Sequence, residues 1–119
     1  MKLSPFEQTM LQGWEDMYKK TQLSLWILVG IYNGKGYADQ IQSFLAREAD
    51  LMPEDQSLYR SLRRLESSTL IESKRVPSKN GPDKKQFVLT PEGDHVLRAF
   101  VKRNIDDIII KNHQKGLLP

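Results

Sequence analysis

The chain has 119 residues, 39% hydrophobic and 28% charged, with a formal net charge of +3, ordinary values for one folded soluble domain. No apolar run approaches the roughly 20 residues of a membrane span, and the first residues lack a signal-peptide pattern. Cysteine is absent, which excludes a disulfide framework and a thiolate metal site.

Ser4-Pro5 reads as an N-cap followed by proline at the first helical position, and Glu7 completes a capping box. Phe6, Met10, Trp14 and Met17 recur at helical spacing, which predicts a first helix to about Lys20. Thr21 is a candidate cap for a second helix, running through Leu23, Leu25, Trp26, Ile27, Leu28, Val29 and Ile31. A segment apolar on nearly every side is the pattern of a central core helix. Asn33-Gly34-Lys35-Gly36 stops it, with Gly34 suited to the left-handed C-terminal position. A third helix is expected from Tyr37 to about Ala49, with Ile41, Phe44, Leu45 and Ala49 on one face. Asp50 to Pro53 forms a short turn, and Pro53 is placed to start a fourth helix that runs to about Ser68.

On that fourth helix Leu58, Leu62 and Leu65 fall at i, i+4 and i+7, an apolar stripe that must be buried. At about 100° per residue the opposite arc holds Gln56, Ser57, Arg60, Arg63 and Arg64. Guanidinium and amide groups can pair bidentately with base edges in a DNA major groove. The same pattern also describes an ordinary amphipathic helix with a solvated charged face. Two helices joined by a few turn residues, the second polar on its outer side, have the layout of a helix-turn-helix.

After Leu70 the period changes. Ile71, Ser73 and Arg75 lead into the dense turn signal Ser78-Lys79-Asn80-Gly81-Pro82-Asp83, and Gln86 to Thr90 reads as a second short strand. The result is a two-stranded hairpin with a basic tip and basic flanks, a wing. Thr90-Pro91-Glu92 then caps a final helix whose apolar side is Val96, Leu97, Phe100, Val101, Ile105, Ile108 and Ile109. From Ser57 to Lys85 there are eight basic residues against three acidic ones, so the rest of the chain is net acidic. Such a contiguous basic footprint implies a polyanionic partner, of which nucleic acid is the commonest.

Taken in order, Asn33-Gly34-Lys35-Gly36-Tyr37, Ser57-Leu58-Tyr59-Arg60-Ser61-Leu62-Arg63-Arg64-Leu65-Glu66, Leu70-Ile71-Glu72-Ser73 and Lys84-Lys85-Gln86-Phe87-Val88-Leu89-Thr90-Pro91-Glu92-Gly93 resemble the PadR-like transcriptional regulators. The pattern shared with that family is a Gly-Tyr opening a helix, a Thr/Ser-Leu-Tyr before Leu-x-x-Leu-Glu, and a wing strand ending in Leu-Thr-x-x-Gly. The likeness covers roughly residues 23 to 100. It implies a mainly α fold with a small β-hairpin (α+β), a winged helix-turn-helix with N- and C-terminal dimerisation helices. The expected division is an N-terminal arm at 1–20, a DNA-binding domain at 21–90 and a C-terminal dimerisation helix at 91–119.

The resemblance also implies a repressor that works as a homodimer on a palindromic operator. Ser57, Tyr59, Arg60, Arg63 and Arg64 then belong to the recognition helix, Lys79, Lys84 and Lys85 to the wing, and Tyr37 to a phosphate contact. Gln56 on the outer arc and Lys74 in the basic stretch complete the candidate DNA-binding set. Two departures stand out. Glu54-Asp55-Gln56 replaces the Ser-Pro-Gly frequent in the family, and Thr69 replaces the usual glycine, so the helix-to-strand turn is expected to differ.

Phe6, Met10, Trp14 and Met17, with Phe100, Val101, Ile105, Ile108 and Ile109, are more apolar surface than a winged helix needs for itself, so they are expected to form a dimer interface. The alternative is that both ends pack onto their own domain. Many PadR-like proteins respond to small aromatic or drug-like molecules near such a seam, which makes Trp14, Trp26 and Phe100 candidate effector-binding surfaces. Against this, aromatic stripes at helical spacing usually belong to cores.

No catalytic constellation is present: there is no serine elbow, and Gly34-Lys35-Gly36 is too short for a phosphate-cradling loop. Asp106 and Asp107 are adjacent on a helix and point to different faces, and His95 and His113 lack ligand-like spacing. The chain is therefore expected to be no enzyme, to use no cofactor or metal, and to be cytoplasmic, on the nucleoid when DNA-bound. The alternative function is a winged-helix protein–protein interaction module without operator reading, motivated by Glu54 and Asp55.

Overall fold

The computed structural model describes all 119 residues. Helix α1 spans Pro5–Tyr32, α2 Ala38–Ala49 and α3 Asp55–Ser67; strands β1 (Ile71–Val76) and β2 (Lys84–Leu89) follow, then α4 (Pro91–Phe100). Beyond α4 the chain stays helical through Val101–Ile110, wound in the wider π form, and ends with one α-turn at Lys111–Gln114. The strands form an antiparallel pair in which Ile71 faces Leu89, Ser73 faces Phe87 and Arg75 faces Lys85.

The Ser4 cap holds as the sequence implied. Ser4 Oγ accepts from the Glu7 N–H at 3.1 Å, and the Ser4 N–H donates to Glu7 Oε1 at 2.8 Å, which keeps the Glu7 carboxyl below its usual pKa. The expected break at Thr21 is absent, and α1 is one helix of 28 residues. Thr21 Oγ1 donates back to the Tyr18 carbonyl at 2.7 Å, so the hydroxyl is satisfied inside a continuous helix instead of capping a new one. The boundary expected between residues 20 and 21 thus falls mid-helix. Pro53 also stays outside its helix: Glu54 is extended, and the first intrahelical bond runs from the Leu58 N–H to the Glu54 carbonyl.

Leu58, Leu62 and Leu65 of α3 are buried against Ile27, Leu28 and Ile31 of α1, Ile41 and Leu45 of α2, Ile71, Phe87 and Leu97. Each fully buried leucine contributes about 1.5–3 kcal/mol of transfer free energy, so the stripe locks α3 with its polar arc outward.

Two glycines of the shared motifs are explained by close approach. A Cβ on Gly36 would lie 3.1 Å from the Phe87 carbonyl oxygen, and the Phe87 N–H donates to the Gly36 carbonyl at 2.7 Å, tying the start of α2 to the wing. A Cβ on Gly93 would overlap the Leu70 carbonyl outright. Beside it Thr90, 5% exposed, caps α4 through the Gly93 N–H at 2.8 Å and donates to the Thr69 carbonyl at 2.6 Å.

Thr69 adopts φ +66°, the left-handed region, as the Leu70 N–H reaches back to the Leu65 carbonyl and its own N–H to Glu66. The expected difference at this turn is therefore chemical: the geometry is the glycine geometry, held by a β-branched residue. A left-handed non-glycine residue costs roughly 1–2 kcal/mol, partly offset by the entropy glycine loses on folding. Thr69→Gly is expected to stabilise the fold by roughly 0.5–1 kcal/mol, read as a higher urea midpoint; an unchanged or lower midpoint would contradict the strain.

The two ends of the chain stand away from the core. Along α1, Phe6, Met10, Trp14 and Met17 are exposed, Trp14 to 74%. On the C-terminal helix Phe100, Ile108 and Ile109 are exposed, while Val101 and Ile105 are half-buried. The radius of gyration is 17.0 Å, against about 13–14 Å for a compact chain of this length. The spacing Leu97, Val101, Ile105, Ile108 is α-periodic, yet the Lys111 N–H reaches the Asp106 carbonyl and Lys102 Nζ meets Asp107 Oδ1 at 2.5 Å, both five residues apart. No helix is long and apolar enough to cross a membrane.

Candidate nucleic-acid interface

The outer arc of α3 carries Gln56, Tyr59, Arg60, Arg63 and Arg64, all exposed, with Ser57 half-buried. The four ion pairs of the structure join Lys19 to Asp50, Arg47 to Glu48, Arg98 to Asp94 and Lys102 to Asp107. None involves an arginine of α3 or a lysine of the wing. Two of the acids nearest the arc are hydrogen-bonded to neighbouring elements, and no acid, Glu54 included, is ion-paired with it. Glu66 accepts from Ser73 Oγ at 2.5 Å, bracing α3 against β1, and Asp55 accepts from Gln42 Nε2 at 2.7 Å, bracing it against α2. The outer arc is thus a set of cations outside any ion pair, on a helix braced from two sides, with no ion pair to be broken before an anion binds.

The wing extends this surface. One hollow is lined by Tyr37, Asp39, Tyr59, Arg63, Glu66, Lys84 and Lys85 among others, so the start of α2, one flank of α3 and the base of β2 converge. Lys84 Nζ stands 5.8 Å from the centre of the Tyr37 ring, and Lys79 shares a second hollow with both. Lys74 lies opposite Gln86, on the hairpin face away from Ile71, Ser73 and Arg75; the structure does not bring it to the α3 flank.

Arg75, which the sequence showed only as part of a basic stretch, sits directly across from Lys85 on that inner face. Like charges opposed on a strand pair repel, so this pair suits an anion lying over it. The alternation Ile71, Ser73, Arg75 was the available signal. Lys19 and Lys20 of α1 also escaped the sequence reading. They line a hollow with Ser57, Arg60, Ser61 and Arg64 on the other flank of α3.

The proposed effector residues are dispersed differently. Trp14 and Phe100 are exposed, whereas Trp26 is half-buried and packs against the core. None of the hollows just described beside α3 and the wing is lined by any of the three.

A helix-turn-helix of α2 and α3, a hairpin wing and a free cationic arc define a winged-helix DNA-binding protein. The Transcriptional regulator PadR-like family matches residues 27–99, and the chain belongs to that family. No curated protein matches it. Among solved structures, a PadR-like transcription factor from Bacteroides fragilis is 27% identical with TM-score 0.68, covering 85% of this chain and 97% of its own. A PadR family regulator from Eggerthella lenta DSM 2243 is 20% identical with TM-score 0.73, covering 97% of this chain and 98% of its own. A Streptococcus transcriptional regulator is 25% identical with TM-score 0.65, covering 87% and 97%.

Proposed function

We propose that this chain is a repressor that binds a palindromic operator as a homodimer, with α3 in the major groove and the wing over the adjoining backbone. The observation that carries the reading is the unpaired state of Arg60, Arg63 and Arg64 on the outer arc of a helix braced by Glu66 against β1 and by Asp55 against α2. Gln56, Ser57 and Tyr59 supply the remaining contacts from α3, and Tyr37, Lys79, Lys84 and Lys85 hold phosphate. Lys74 takes part only where the duplex wraps past the wing. The class is no enzyme and needs no cofactor, and its place is the cytoplasm.

The exposed apolar side chains at both ends of the chain support a homodimer, since contiguous apolar patches of this kind mark interaction sites. Two recognition helices would then meet successive major grooves about 34 Å apart. Trp14, Trp26 and Phe100 are the proposed effector residues, and of these Trp14 and Phe100 have exposed rings. Ile108→Asp is expected to give monomers by sedimentation; an unaltered dimer mass would remove the C-terminal helix from the interface.

The test of the reading is a salt titration of duplex binding. The logarithm of affinity should fall steeply with the logarithm of salt, by about 0.9 per phosphate contacted. One observation favours the alternative of a protein-interaction module: Glu54, an exposed acid, stands at the N-terminus of α3. That module would show almost no duplex affinity at any salt.

A further inference from the structure

The cations around α3 are not equivalent. Counting about 100° per residue from the buried Leu58, Leu62 and Leu65, Gln56 and Arg60 lie on the crest farthest from the core. Tyr59 and Arg63 turn toward the wing, and they line the hollow that holds Lys84 and Lys85. Ser57, Ser61 and Arg64 turn the other way, and with Arg60 they line a hollow whose far wall is Asp16, Lys19, Lys20 and Leu23 of α1. The two flanks of α3 therefore each face a pair of lysines from a different element.

Within the α1 hollow Lys19 is committed, its Nζ donating to Asp50 Oδ2 at 2.6 Å. That ion pair joins α1 to the turn between α2 and α3, where Asp50 is itself left-handed at φ +53°. Lys20 and Arg64 are exposed and belong to no ion pair. The hollow also contains Glu54 and Asp16, the latter accepting from Gln12 Nε2 at 2.9 Å, so an anion placed there is attracted by Lys20, Arg60 and Arg64 and repelled by the two carboxylates.

We propose that Lys20 and Arg64 form a phosphate clamp on the flank of α3 away from the wing, so that a duplex backbone is gripped from both sides and base reading falls to Gln56 and Arg60. This deepens the DNA-binding reading and rests on it. The geometry gives the groove-entering helix a symmetric setting. On one side stand Lys84 and Lys85, on the other Lys20 with Arg64, each pair lining a hollow along one flank of α3. It also assigns α1 a second task, because the helix that carries the exposed apolar arm carries one jaw of the clamp as well.

The experiment is a salt titration of the full chain on a random-sequence duplex and on one selected for tight binding, with Lys20→Ala, Arg64→Ala and, as a remote control, Lys115→Ala. The expected result is a salt slope shallower by about 0.9 for each of the first two variants on both duplexes, and no change for Lys115→Ala. Glu54→Gln should tighten both duplexes alike. Slopes equal to the parent's for Lys20→Ala, with the parent binding steeply, would overturn the clamp and leave the DNA reading standing. A loss for Arg64→Ala confined to the selected duplex would overturn it too, making Arg64 a base reader. A parent chain without salt-dependent affinity would overturn the DNA reading itself.

Discussion

Replacing Gly93 with alanine is expected to cost roughly 3 kcal/mol or more, a large share of the 5–15 kcal/mol that holds a domain together. The added methyl group would occupy the position of the Leu70 carbonyl oxygen and stand 2.8 Å from its carbon. Both atoms are backbone, so no side-chain rotation relieves the overlap; α4 must shift or the start of β1 must give way. The Thr90 cap cannot survive such a shift, because its hydroxyl bridges the Thr69 carbonyl and the Gly93 N–H at once. Thermal unfolding followed by circular dichroism should show a midpoint lower by on the order of 10 °C. Gly13→Ala is the control, since nothing lies within 4 Å of that position in the exposed half of α1, and there alanine should stabilise by roughly 0.5–1 kcal/mol. A Gly93→Ala midpoint within two or three degrees of the parent, about what 0.5 kcal/mol gives, would contradict the close packing of α4 on β1.

The second large effect is on binding and leaves stability alone. Arg60→Ala is expected to weaken a selected duplex by about 1–3 kcal/mol, the loss of a base contact. Adding Arg63→Ala, on the wing-side flank, weakens selected and random duplexes alike and makes the salt slope shallower by about 0.9. Both side chains are exposed and neither has an ionic partner to orphan. Surface changes of that kind usually move stability by no more than about 0.5 kcal/mol. Fluorescence anisotropy at fixed salt, with a thermal melt run in parallel, separates the two quantities. An unchanged dissociation constant would remove the arc of α3 from the contact, and a lowered melting point would show that the arginines brace the fold.

Much of this architecture was legible in the chain itself because it depends on local chemistry. Ser4 with Glu7, Thr90 with Pro91, and the leucine stripe of α3 each act within one or two helical turns, and each appears where the spacing placed it. The break expected at Thr21 failed for a reason that spacing alone does not resolve. A threonine hydroxyl can cap a new helix or bond back to the preceding turn, and the choice depends on the backbone direction of Tyr18. The same holds for the C-terminal helix, whose apolar period is that of an α-helix although its backbone is wound more widely. Thr69 was visible as a missing glycine, and only the φ of +66° says that the turn kept its shape at the expense of strain.

For the interface, the cations of α3 and the wing were legible as charge and periodicity, but their grouping was not. Arg75 meets Lys85 only through the hairpin register, and Lys20 shares a hollow with Arg64 only because α1 packs across α3. Such pairings join residues distant in sequence, and no local pattern carries them. The engagement of Glu66 by Ser73 and of Asp55 by Gln42, which braces α3 against β1 and α2, is likewise a product of the tertiary fold.

Selection of bound duplexes from a random pool by the full chain is the most direct measurement. The cationic arc of α3, presented twice in the proposed homodimer, predicts enrichment of an inverted repeat whose half-sites lie about one helical turn apart, 10–10.5 bp centre to centre. Recovery of a pool no different from the input would contradict it.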